Sequence, residues 1–257
     1  MEILHFARPY LPLSLLVFLA GFVDSIAGGG GLITLPAYLA YGLSPVLLLG
    51  TNKLSSCMGT AVAAAKFRKE TRFGADFLFI LIVLAAGGSF LGARAIAMVP
   101  PEGIRYLLII LLPPVAIFLA SKKKFGLADT SGRFTEGTLL ARSGAISASV
   151  SFYDGLLGPG TGTFLAVAYA RLCGFDLLRS TALAKLLNLV SNAAALAAFL
   201  YLGRVDIKLG LAMGLAGMAG NYAGSHLALK KGSWVIRPML FTVSSALLVK
   251  IAWDMLK

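Results

Sequence analysis

Charge is scarce in this chain, and so are histidine and cysteine. Only 13% of its 257 residues are Asp, Glu, Lys or Arg, where a soluble domain carries about a quarter. Two histidines, His5 and His226, argue against a histidine-based metal site. Two cysteines, Cys57 and Cys173, lie far apart in apolar segments. They are expected to be reduced and packed, with no disulfide framework. Neither His-Glu-x-x-His nor Gly-x-Ser-x-Gly occurs, and no Gly-Lys-Ser/Thr follows a glycine cluster. Metallopeptidase, serine-hydrolase and nucleotide-loop chemistry are therefore not indicated. The expectation is a protein that is not an enzyme and needs no cofactor or metal.

What the chain has instead is hydrocarbon. Hydrophobic residues make up 58% of it, and its mean hydropathy is +0.85. Apolar runs of about 18 residues or more recur along its length, each long enough to cross a bilayer. The formal charge of +12 comes from 23 basic residues against 11 acidic ones. Many of the basic residues sit in short segments between runs, as in Lys66-Phe67-Arg68-Lys69 and Lys122-Lys123-Lys124. That is the pattern of loops meeting anionic lipid headgroups, not of a nucleic-acid groove. The partners expected are the lipid bilayer and a small solute, with no nucleic acid.

The runs fall at roughly 11–30 (continuing as 32–41), 45–65, 75–98, 103–120, 139–158 (continuing as 164–173), 178–202, 207–229 and 234–256. This predicts an all-α polytopic membrane protein of about eight transmembrane helices, with broken or re-entrant helices at its glycine-rich motifs. The polar stretch 121–138 reads as the link between two halves. Asp24 in Phe-Val-Asp-Ser-Ile-Ala-Gly matches Asp154 in Phe-Tyr-Asp-Gly-Leu-Leu-Gly at an offset of 130. Gly28 and Gly30 match Gly158 and Gly160, and Thr51 matches Thr181. After a two-residue shift, Lys53-Leu54 matches Lys185-Leu186, and Gly88 and Gly92 match Gly220 and Gly224. The halves thus read as tandem repeats, 1–125 and 139–257, joined by 126–138. Four full crossings per half would make them parallel repeats with both termini in the cytoplasm, whereas re-entrant breaks would change that relation. A signal-peptide reading of Ser25-Ile26-Ala27 fails because the same pattern returns mid-chain.

Three features carry candidate chemistry. Asp24 and Asp154 are the acids well inside apolar runs. An intramembrane carboxylate costs about 3 kcal/mol, and desolvation favours the neutral acid. Proton handling and helix capping both remain open for these residues. Next, the glycine breaks leave new helix N-termini near Gly29, Gly30 and Gly31, and near Gly160, Thr161 and Gly162. Such termini favour an anion, and Thr34 and Thr163 add hydroxyl donors, although close packing alone also accounts for glycine. Last, Lys53 and Lys185 sit among Thr51, Asn52, Thr181, Asn188 and Asn192 on otherwise apolar helices. Either lysine could snorkel to the interface. Together they could form a positive pocket, with Asp24 and Asp154 as counter-ions or protonation switches. The small-residue ridge from Gly210 to Gly224 reads as helix packing.

Four motifs carry a family resemblance: Asp-Ser-Ile-Ala-Gly-Gly-Gly-Gly-Leu-Ile-Thr-Leu-Pro (24–36), Leu-Gly-Thr-Asn-Lys-Leu (49–54), Tyr-Asp-Gly-Leu-Leu-Gly-Pro-Gly-Thr-Gly (153–162) and Lys-Leu-Leu-Asn-Leu-Val-Ser-Asn (185–192). The chain resembles the TauE/SafE family of sulfite exporters, also called the toluenesulfonate uptake permease family. The resemblance implies a duplicated four-helix unit in a bacterial-type inner membrane, crossing it several times. It also implies transport of a sulfur-containing anion such as sulfite, thiosulfate or a sulfonate. Ala184 departs from the hydroxylated residue expected there, and no cysteine lies in the motifs to support a thiol relay. A proton- or ion-coupled secondary transporter is the first expectation; a passive anion channel, or a permease for another small organic anion, is the alternative.

Overall fold

The computed structural model describes residues 10–70, 73–104, 106, 107, 110, 126 and 128–231. Eight α-helices are described end to end: α1 Tyr10–Ala27, α2 Gly31–Ala40, α3 Pro45–Phe67, α4 Ala75–Ala97, α5 Glu136–Leu156, α6 Thr161–Ala168, α7 Leu177–Tyr201 and α8 Ile207–Lys231; residues 101–104 are helical too. No strand occurs among the described residues. Helices α1, α4 and α7 are long and apolar enough to cross a membrane, and leucine, valine and phenylalanine side chains such as Leu15, Phe79, Val83 and Leu215 point outward. Most of the fourth apolar run and all of the eighth lie outside the described residues.

Both glycine breaks turn the chain back on itself. Helix α1 spans about 27 Å and α2 about 15 Å. The ring of Tyr41, just past α2, lies 5.5 Å from that of Tyr10, at the start of α1. The chain therefore enters and leaves on one side as a re-entrant hairpin. Helices α5 and α6 do the same. Tyr153 packs on Phe164, Ser147 bonds the Tyr169 hydroxyl, and Ser143 meets Cys173 at the far end, across a π-turn at Tyr169–Cys173.

The halves interlock. Gly220 and Gly224 of α8 press on the backbone at Phe18 and Phe22 of α1, while Gly88 and Gly92 of α4 press on Ala148 and Phe152 of α5. These are equivalent contacts under the sequence offsets, and in each the helix of one half's third apolar run, α4 or α8, packs on the first helix of the other. Helix α8 also runs parallel to α3, with Gly210 over Leu54, Gly214 over Met58 and Tyr222 under the Lys66 ammonium. The glycine ridge of α8 is thus a packing surface, as its spacing implies. Across the middle the direction reverses: Lys53 of α3 bonds Asn192 of α7, and Gly50 faces Phe199, so α3 and α7 are antiparallel.

The first hairpin therefore opens from one end of the bundle and the second from the other. Parallel repeats of four full crossings do not describe these elements, because a re-entrant hairpin makes no net crossing. Basic residues are divided unequally. Lys66, Arg68, Lys69, Arg133, Arg142, Arg171, Arg179, Lys230 and Lys231 gather at the end away from Tyr10, against Arg94, Arg204 and Lys208 at the Tyr10 end, among the described residues. At the basic end Asp129 of the link pairs with Arg179 at 2.8 Å. Burial pushes the Asp129 carboxyl up, but hydrogen bonds from Ser131 and Arg179 outweigh it and hold it below the ordinary value.

Close packing makes a prediction. A Cβ on Gly92 would stand 2.1 Å from the Phe152 carbonyl oxygen, whereas one on Gly87 meets nothing within 4 Å. Gly92→Ala is expected to destabilise by about 1–3 kcal/mol or more. Gly87→Ala, removing a helix-interior glycine, is neutral or stabilises by up to about 1 kcal/mol. Thermal unfolding in detergent checks the contrast.

Candidate functional site

The hairpin tips meet. Gly28 has φ +80°, and a Cβ there would lie 2.4 Å from the Gly162 carbonyl carbon and the Thr163 nitrogen. Only glycine fits, on conformation and on space together. The Thr163 N–H donates to the Gly28 carbonyl at 3.3 Å, and the Thr163 hydroxyl donates to the Ala27 carbonyl. Gly158 and Gly160 take φ of +91° and +82° to turn the second tip.

Beside this junction is a cavity of about 40 Å³, room for about three water molecules or one small anion. Asp24, Gly30, Gly31, Thr34, Asn52, Lys53, Asp154, Gly160, Thr161, Gly162 and Asn188 all line it. Helices α2 and α6 begin at its wall, with Gly31 and Thr161 as their first residues. Four expected residues stand apart from that lining. Thr51 accepts from the Asp206 N–H, tying α3 to the start of α8. Thr163 holds the tips together, and Gly29 accepts from Leu32 N–H within the first tip. Lys185 sits behind Asp24, donating to its backbone carbonyl.

The ion pairs cross between halves. Lys53 Nζ lies 2.7 Å from Asp154 Oδ2, both side chains 2% exposed, and donates to Asn192 Oδ1 at 3.0 Å. Lys185 Nζ lies 3.7 Å from Asp24 Oδ2. Neither lysine snorkels, since both are buried. Asp24 also caps, its Oδ1 accepting from the Gly30 N–H at 3.0 Å. Two lysines and two carboxylates cancel, so any net attraction for an anion comes from the helix N-termini, each worth about half a positive charge. Thr34 donates to Asn52 Oδ1, and Tyr38 donates to Ser55 at 2.8 Å, fixing α2 on α3.

Two further contributors appear: Ser191, a polar neighbour of Lys185 inside the 185–192 motif, and Asn221, which lies outside every motif. Ser191 donates to Asp154 Oδ2. Asn221 of α8, buried at the cavity, reaches between Gly21 and Gly59 and donates to the Gly217 carbonyl at 3.0 Å. Its only sequence signal is a lone amide inside a glycine-rich apolar run, at the place of Ser89 in the first half.

Opposed re-entrant hairpins that meet at a buried, charged cavity between apolar helices define a helical membrane transport protein. The comparisons with known proteins agree. Residues 13–251 match the sequence profile described as sulfite exporter TauE/SafE, and the chain belongs to that family. It is 38% identical over 237 residues to a probable membrane transporter protein, ORF9, of Sinorhizobium sp, covering 92% of this chain and 90% of the relative. The probable membrane transporter protein YfcA of Escherichia coli K12 is 38% identical over 236 residues, covering 92% and 87%. A probable membrane transporter protein of Haemophilus influenzae is 33% identical over 237 residues, covering 92% of each. No solved structure matches the chain.

Proposed function

We propose that the protein is a secondary transporter of a small sulfur-containing anion such as sulfite, thiosulfate or a small sulfonate, coupled to protons or another ion. One observation carries the reading: a cavity of about 40 Å³ bounded by the N-termini of two half-helices and by Lys53. Its size suits a compact oxyanion better than an aryl sulfonate. The side-chain amides of Asn52 and Asn188 supply N–H donors around it, and the family's description supports the sulfur oxyanion. No catalytic step is assigned.

In this reading the halves 1–125 and 139–257, joined by 126–138, are inverted rather than parallel repeats. Such repeats place a site where they meet and alternate access by rocking around it. The basic end faces the cytoplasm of a bacterial-type inner membrane, and Tyr10 lies toward the outer side, the reverse of what eight full crossings require.

Uptake into proteoliposomes tests the function. An imposed pH gradient is expected to drive sulfite or thiosulfate above its equilibrium distribution. Flux that only equilibrates would make the protein a passive channel, and no flux of sulfite, thiosulfate or methanesulfonate would remove the reading.

A further inference from the structure

The two ion pairs are equivalent in sequence but not in geometry. Asp154 is locked: its Oδ2 takes Lys53 at 2.7 Å and the Ser191 hydroxyl, while Asn192 holds the same lysine from behind at 3.0 Å. Asp24 has neither support. The offset of 132 puts Gly59 where Ser191 stands and Thr60 where Asn192 stands. Gly59 has no hydroxyl to give, and Thr60 turns its own to the Ser56 carbonyl at 2.8 Å. Lys185 is drawn onto the Asp24 backbone carbonyl and stays 3.7 Å from the carboxylate, whose side chain is 15% exposed. Asp24 Oδ2 is left buried without a hydrogen-bond partner, on a residue that lines the cavity.

We propose that Asp24 alone carries the coupling proton, taking it on Oδ2 when an anion enters and releasing it when the anion leaves, while Asp154 stays ionised as the fixed counter-ion of Lys53. The inference rests on the anion-transport reading. Charge balance supplies the reason. With all four side chains ionised the site sums to zero, so a monoanion would bring it to −1 beside the ionised Asp24 carboxylate. A proton taken from water onto Asp24 Oδ2 makes the site +1, and the anion restores zero. Proton and anion then travel together in the same direction.

The charged groups facing Asp24 are Lys185 from α7, Lys53 from α3 and, across the cavity, Asp154 from α5. Helices α2 and α6 bring no charged side chain. Helix α8 brings the uncharged Asn221, with its His226 exposed.

Asp24→Asn keeps an oxygen for the Gly30 cap and the backbone carbonyl for Lys185, and it mimics the protonated acid. The test uses calorimetric binding of thiosulfate and methanesulfonate, whose own charge is constant across the range, together with proton uptake in lightly buffered detergent solution. Wild type is expected to take up as much as one proton per anion, and to lose affinity about tenfold per pH unit where Asp24 is ionised. Asp24→Asn should bind with no proton uptake and a flat pH profile. Asp154→Asn, where it folds, should keep the slope. A slope that persists in Asp24→Asn, or wild-type binding with no proton uptake at any pH, overturns the proposal and leaves the anion site standing. Failure of wild type to bind either anion or sulfite removes the anion reading itself, and the proposal with it.

Discussion

Lys53→Met is expected to destabilise the fold by about 3–5 kcal/mol, because it strands a carboxylate that has almost no access to water. Asp154 is 1% exposed, and with Lys53 gone the Ser191 hydroxyl would be its one remaining hydrogen-bond donor among the described residues. The double variant Lys53→Met/Asp154→Asn removes both charges, and a buried pair replaced as a unit is often neutral to stability. It should therefore recover most of the lost thermal midpoint. Sulfite binding should not recover with it, since the cation at the cavity wall is gone; a loss of at least about tenfold corresponds to one charge-assisted hydrogen bond. Stability restored together with binding would show that Lys53 holds the fold and nothing else.

The second large effect is at the tips. Gly28→Ala is expected to cost about 4 kcal/mol or more, combining the left-handed backbone with a clash against a partner backbone that cannot move aside. Gly42→Ala is the control. Gly42 has φ +93°, yet a Cβ there meets nothing within 4 Å, so it should lose only the conformational part, about 1–2 kcal/mol. Equal losses in the two variants, measured by thermal unfolding in detergent, would mean that the tips do not touch.

Much of this site is legible in the chain because its residues are out of place there. A carboxylate, a lysine or four successive glycines inside an apolar run stand out against hydrocarbon, and the repeat pairs each with a partner position. The same logic marks Gly88 and Gly92 with Gly220 and Gly224. What it could not reveal is which carboxylate meets which lysine. Asp24 and Lys53 share a half, but α4 packs on α5 and α8 on α1, each across the halves, and the pairs cross with that packing. Nor could composition decide whether a glycine break re-enters or continues, because α2 and α6 are apolar in either case. Ser191 and Asn221 are small polar residues of ordinary kind. Their importance comes from the carboxylate, or the gap between two glycines, that the fold places opposite them.

Everything functional depends on an anion lodging between the first turns of α2 and α6. Selenite, the selenium counterpart of sulfite, makes that position directly visible by anomalous diffraction from soaked crystals. The account predicts one selenium peak in the cavity, placed so that its oxygens reach Lys53 Nζ and the Gly31 and Thr161 ends of those helices. A peak only elsewhere, or none at saturating selenite, would contradict it.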